Sequence, residues 1–159
     1  MHIHTYRSTI RWSGSTGIGY EGYDRTHDAE VDPASAGLRL SSDPAFRGDP
    51  SLLNPEQLLV VAAASCQLLS FLAVAARARI DVVAYTDEAL GEMPERSRDR
   101  DREQPVMSIE RIELRPQIVV RGDVPIEKVQ RLVAIAHDEC FIANSLRTDI
   151  TVNATIELA

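Results

Sequence analysis

Short alternating runs of apolar and polar residues at both ends of the chain flank one long, uncharged and mostly apolar run. Residues 3–12 read as a strand ending at Trp12, followed by the turn-rich stretch Ser13-Gly14-Ser15-Thr16-Gly17-Ile18-Gly19. Extended pieces around 20–31 and 37–42 complete an expected N-terminal antiparallel meander, and 41–53, with Pro44, Gly48 and Pro50, reads as a loop. Asn54-Pro55-Glu56-Gln57 then predicts a helix start. Asn54 caps, Pro55 suits the first helical position, Glu56 meets the positive end of the macrodipole, and Gln57 falls where a capping-box side chain reaches back. The helix is expected to run to about residue 79, and its stretch 58–76 carries no charge.

A run of that length can span a bilayer. Its many alanines, its polar Ser65, Gln67 and Ser70, and the strand-like sequence around it point instead to the buried axis of a globular domain, or to burial by dimerisation. Beyond it, 80–92 reads as a strand (Val82, Val83, Tyr85), and the mixed-sign run ERSRDRDRE at 95–103 as a solvated loop. In 105–121, Ile112, Leu114, Ile118 and Val120 share one alternating phase while Met107 and Ile109 fall in the other, which predicts a bulge or a strand covered on both faces. A second helix is expected from Pro125, capped by Asp123 or Val124. Ile126, Val129, Leu132, Val133, Ala136 and Cys140 form its buried stripe. A final half-buried strand covers 149–158. The order predicts an α+β fold in a single domain, 1–159, with no internal repeat or linker.

Composition narrows the function. The 44% hydrophobic and 26% charged residues describe a globular chain, not a disordered or repetitive one. A net charge of −7 gives no electrostatic reason to sit on nucleic acid or anionic lipid, so no nucleic acid and no membrane are expected as partners. The N-terminal residues lack a secretory pattern, so a cytoplasmic location is expected. There, a cysteine pair is more often catalytic, redox-sensing or metal-binding than a structural disulfide. Two cysteines need help to hold zinc, and His2, His4, His27 and His137 have no ligand spacing, so no metal is expected.

Cys66 and Cys140 each read, taken alone, as small core hydrophobes. Together they place one thiol on each predicted helix, which is the arrangement that lets distant residues meet. Such a pair can run a peroxide cycle: one thiolate becomes a sulfenic acid and the other condenses with it to a disulfide. The thiolate is the nucleophile, and lowering its pKa by two units needs about 2.7 kcal/mol of preferential stabilisation. An arginine, itself oriented by a carboxylate, is the expected source.

Asn54-Pro55-Glu56-Gln57-Leu58-Leu59 followed by Ala64-Ser65-Cys66 resembles the signature of the OsmC/Ohr family of organic hydroperoxide reductases. Ala136-His137-Asp138-Glu139-Cys140 followed by Ser145 resembles the family's second-cysteine segment. The resemblance implies antiparallel sheets wrapped around two central helices in an intertwined homodimer. It also implies a thiol peroxidase acting on organic hydroperoxides or hydrogen peroxide, reset by a dithiol or lipoyl-type reductant and needing no cofactor. Cys66 would be the peroxidatic thiol, Cys140 the resolving thiol, and Glu56 the carboxylate that holds the arginine. Tyr20-Glu21-Gly22-Tyr23-Asp24-Arg25-Thr26-His27 resembles a Tyr/Arg/His segment of one branch and makes Arg25 the first choice. Arg47, in Phe46-Arg47-Gly48-Asp49, resembles the position used in another branch. Gln67 departs from the family's aromatic residue beside the cysteine, which implies a differently shaped pocket.

Helix geometry adds a constraint. Glu56 and Cys66 are about 15 Å apart along one axis and about 80° apart around it, so they cannot meet within one helix. Either a partner subunit supplies the Glu56 that serves a given Cys66, or a long arginine bridges the gap. Two rival readings remain: a non-enzymatic protein of the same fold binding a small apolar ligand between subunits, and a redox sensor, for which no output element such as a basic recognition helix is seen.

Overall fold

The computed structural model describes residues 1–95 and 107–159. Contacts group the chain into two compact units, Met1–Leu58 and Leu59–Ala159. The class is α+β.

In the first unit, β1 (Thr9–Arg11), β2 (His27–Glu30) and β3 (Leu38–Leu40) pair antiparallel in chain order, with Thr9 opposite Glu30 and His27 opposite Leu40. The first strand is shorter than the expected 3–12, because β2 offers pairing only to Thr9, Ile10 and Arg11. His2 and His4 precede it, exposed. A 3-10 turn at Pro44–Phe46, capped by the Asp43 carboxylate, shapes the loop after β3. Gly48 is required there, since a Cβ would stand 1.6 Å from the Ser42 carbonyl oxygen. The loop ends on the expected capping box: Gln57 N–H donates to Asn54 Oδ1 (2.8 Å), and Asn54 N–H donates to Gln57 Oε1 (3.1 Å).

From that box runs α1 (Pro55–Arg77). Inside the second unit it buries one stripe, Ala63, Gln67, Phe71, Val74 and Ala75, and leaves Val61, Leu69 and Leu72 exposed on the other side. Only 28% of its most apolar window is covered within the chain, so burial as the axis of a single globular chain is corrected and burial by dimerisation stands as the other expectation. Arg79, at φ 58°, closes α1 in a Schellman arrangement, with Ile80 N–H on Ala75 O (2.9 Å) and Arg79 N–H on Ala76 O (3.1 Å).

The strands of the second unit are β4 (Asp81–Asp87), β5 (Leu90–Glu92), β6 (Arg111–Leu114), β7 (Pro116–Arg121), β8 (Asp149–Val152) and β9 (Thr155–Leu158). They form two three-stranded sheets, β4-β7-β9 and β5-β6-β8. Each long strand expected from the sequence is thus broken in two, and the breaks align: Asp87 pairs with Pro116 on one side and Leu90 with Glu113 on the other. At the break, Arg115 N–H leaves the ladder for Asp87 Oδ1 (2.7 Å). Glu113 accepts from Arg115 and Asn153 (2.8 Å each), which pulls its carboxyl down to about 2. Burial pushes the Asp87 carboxyl up.

The expectation of wholly antiparallel sheets is also corrected. β8 runs parallel to β6 and β9 parallel to β7, because the chain returns to the sheet through α2 (Ile126–Asp138) instead of a hairpin. Met107 and Ile109 belong to neither a bulge nor a two-faced strand; they precede β6. The mixed-sign run, apart from Glu95, lies outside the described residues.

Helix α2 buries Val129, Leu132, Val133 and Ala136. These pack with Phe71, Val74 and Ala75 of α1 and with Ile118 and Val120 of β7, so both helices cover the same sheet face. A second cluster joins Ala63 to Ile112, Leu114 and Ile150. The N-cap of α2 is Pro125, with no side-chain cap, not Asp123 or Val124. Gly122 at φ 101° turns the chain so that Pro125 enters the helix from an extended conformation.

Candidate active site

The second unit brings the two cysteines together. Cys66 sits half-buried on α1, and Cys140 is buried. Cys140 is not the last stripe residue of α2, as the periodicity suggests. The helix ends at Asp138, and Cys140 becomes the N-cap of a short α3 (Phe141–Ser145). Its sulfur accepts the Ala143 N–H (3.5 Å), and the next N–H along, that of Ile142, reaches Cys66 Sγ (3.5 Å). One turn of backbone therefore serves both sulfurs, and both cysteines are free thiols. Burial, and then a hydrogen bond to Cys66, push the Cys140 thiol above its usual range, and the Ala143 and Ile142 N–H groups only partly offset this.

Gln67, next to Cys66, is turned into the core. Its side chain is 1% exposed and donates from Nε2 to the Val133 carbonyl of α2 (3.3 Å). The helical step from 66 to 67 carries it into the core.

Inside the first unit lies a pocket of about 430 Å³ lined by Ile10, Trp12, Tyr23, Arg25, His27 and Glu56 among others. Arg25 and Glu56, which the family resemblance named together, thus share one cavity. The guanidinium of Arg25 donates to the carbonyls of Tyr23 and Tyr20 (2.7 Å each) and lies 4.0 Å from the Tyr23 ring centroid and 4.8 Å from that of Tyr20. A tight turn at Gly19–Gly22, closed by Gly22 N–H on Gly19 O (3.1 Å), directs both carbonyls to it. Trp12 extends the aromatic wall and is fixed by its Nε1–H on Asp24 O (2.8 Å). The expected arginine–carboxylate pair is not formed: among the described residues the guanidinium is held by carbonyls and rings, and Glu56 has no ion-pair partner. Arg47 is ion-paired with Glu21 and does not line the pocket.

Neither the paired N–H groups of α3 nor the Trp12 wall was legible beforehand. Backbone donors leave no mark on a sequence, and Trp12 reads equally well as a strand residue.

A family model described as OsmC-like protein matches residues 48–155, and the chain belongs to that family. No curated protein matches it. Among solved structures, an OsmC-like protein of unknown function from Vibrio cholerae shares 27% identity and a TM-score of 0.83, over 96% of this chain and 100% of that one. An organic hydroperoxide resistance protein OsmC from Legionella pneumophila has 18% identity and a TM-score of 0.69, with 99% of each chain covered. An organic hydroperoxide resistance protein from Elizabethkingia anophelis has 20% identity and a TM-score of 0.66, again with 99% of each covered. At those identities the last two show the fold alone.

Proposed function

We propose that this protein is a thiol-dependent peroxidase that reduces organic hydroperoxides through a Cys66 sulfenic acid and a Cys66–Cys140 disulfide, reset by a dithiol or lipoyl-type reductant. The observation that carries the reading is the shared turn of α3, which presents adjacent N–H groups to the two sulfurs. The half-buried Cys66 is the thiol an oxidant can reach, and the buried Cys140 waits beside it. In the oxidation step the Cys66 thiolate attacks the terminal peroxide oxygen. An S–O bond forms, the O–O bond breaks, and the alcohol leaves. Cys140 then displaces water from the sulfenic sulfur to give the disulfide, and the reductant's two thiols return both cysteines to the reduced form.

Arg25 and Glu56 complete the chemistry in this reading. Arg25 supplies a cation and N–H donors to the peroxide, pre-oriented by two carbonyls and two rings, and Glu56 lies in the same pocket. The working form is a homodimer, in which the pocket of one copy serves the thiol pair of the other. Support comes from the ten-residue spacing of Glu56 and Cys66 on one helix and from the exposed apolar side of α1 at Val61, Leu69 and Leu72.

The test is turnover of tert-butyl and cumene hydroperoxides with dihydrolipoamide or dithiothreitol as reductant. Wild type consumes peroxide catalytically and Cys66→Ser does not; a Cys66→Ser variant at full activity rejects the reading. The apolar wall of the pocket favours one second reading, binding of a small apolar ligand without turnover, which predicts no peroxide consumption by wild type.

A further inference from the structure

His27 lines the same pocket as Arg25 and Glu56, and nothing above gives it a task. Its Nδ1 lies 2.8 Å from the backbone carbonyl oxygen of Arg25. A carbonyl oxygen only accepts, so Nδ1 carries its hydrogen whether the ring is neutral or charged, and Nε2 is the atom at which a proton comes and goes. Among the described residues Nε2 has no hydrogen-bond partner. The imidazole is therefore anchored at one nitrogen and open at the other, the arrangement of a general acid–base residue.

Two of the pocket's other donors are poorly suited to that task. A guanidinium does not give up a proton at neutral pH. The Ser42 hydroxyl already donates to Phe46 O (3.1 Å).

We propose that His27 is a catalytic residue that protonates the leaving oxygen of the hydroperoxide. This rests on the peroxidase reading. When the Cys66 thiolate takes the terminal oxygen, the O–O bond breaks and its electron pair stays on the alkoxide. The His27 Nε2 proton moves to that oxygen and the product leaves as a neutral alcohol. Sulfur is oxidised, the peroxide is reduced, and the imidazole regains a proton equal to the one the thiol lost on ionising. Throughout, Nδ1–H stays on the Arg25 carbonyl, so the ring that moves the proton also holds the residue that grips the peroxide.

The consequence is a dependence on leaving-group basicity. An alkoxide needs a proton as it departs; a carboxylate, the leaving group of a peracid, does not. The experiment measures kcat/KM for tert-butyl hydroperoxide and for peracetic acid in wild type, His27→Asn and His27→Gln. Asn keeps a donor for the Arg25 carbonyl, Gln places an amide near Nε2, and neither releases a proton at neutral pH. The expected result is a roughly 10²-fold loss with tert-butyl hydroperoxide and a small change with peracetic acid in both variants. Equal losses with both oxidants, or none with either, would overturn the role of His27 while an active wild type leaves the peroxidase reading standing. A wild type inert toward both oxidants overturns the two together.

Discussion

The backbone N–H of Ile142 donates to the sulfur of Cys66 across 76 positions of chain. That bond exists because α2 stops two residues before Cys140, so that a cysteine, not a serine or aspartate, caps the next helix. Ending the helix there makes Cys140 a neighbour of Cys66 instead of one more residue on the α2 stripe.

Arg25 and Arg47 separate cleanly by substitution. A lysine at 25 cannot donate to two carbonyls at once or stack as a plane on Tyr23, so Arg25→Lys is expected to lower kcat/KM for hydroperoxide by roughly 10²-fold. Arg47→Lys keeps its surface pair with Glu21 and leaves the rate close to wild type. The opposite ranking would move the cation to Arg47.

In the proposed homodimer the exposed side of α1 forms the contact between copies. Leu69→Glu places a charge on it and is expected to weaken self-association about 30-fold or more, the effect of losing a central contact worth about 2 kcal/mol. Sedimentation or light scattering reads the change. Mixing inactive Glu56→Ala and Cys66→Ser chains checks the shared site: heterodimers regain one intact centre, whereas a site built within one chain regains none.

Glu113 ties stability to acid pH. Its carboxyl lies near 2 in the folded chain, chiefly through the Arg115 hydrogen bond, against an ordinary value of 4.5. A lowered carboxyl contributes stability that is fully present above the ordinary value and is lost as pH falls through the folded one. Glu113→Gln is therefore expected to melt below wild type at pH 7, with the gap narrowing below about pH 4.5 and closing near 2. A gap that does not change with pH would mean the side chain acts through packing alone.

Arg79 occupies a left-handed position that favours glycine. Arg79→Gly relieves that conformation at the end of α1 and is expected to raise stability by about 0.5–1 kcal/mol, read by urea or thermal unfolding. A loss would show that the arginine side chain outweighs the backbone strain.

Much of the fold was legible because local rules agree with it. The Asn54–Gln57 box starts α1 where its residues say, and the alternation of Ile112, Leu114, Ile118 and Val120 marks the buried faces of β6 and β7. The breaks at Arg115 and Asn153 were not legible, since the alternating phase runs through them unchanged and only the pairing of three strands sets them. The parallel return of β8 and β9 is likewise a matter of topology. At the candidate site, residue types pointed to the Cys66 and Cys140 pair, and the family resemblance singled out Glu56 and Arg25. The carbonyl cage around Arg25 and the turn beneath the sulfurs are made of backbone, which has no letter in the sequence.

The central claim is that two thiols of one chain react with each other. Titrating the reduced protein with a hydroperoxide and counting free thiols, with peptide mapping of the product, tests it most directly. The account predicts loss of both thiols per chain for each peroxide consumed, with Cys66 and Cys140 recovered in one disulfide-linked peptide pair. Loss of neither thiol, or a Cys66 that oxidises while Cys140 stays free, would contradict it.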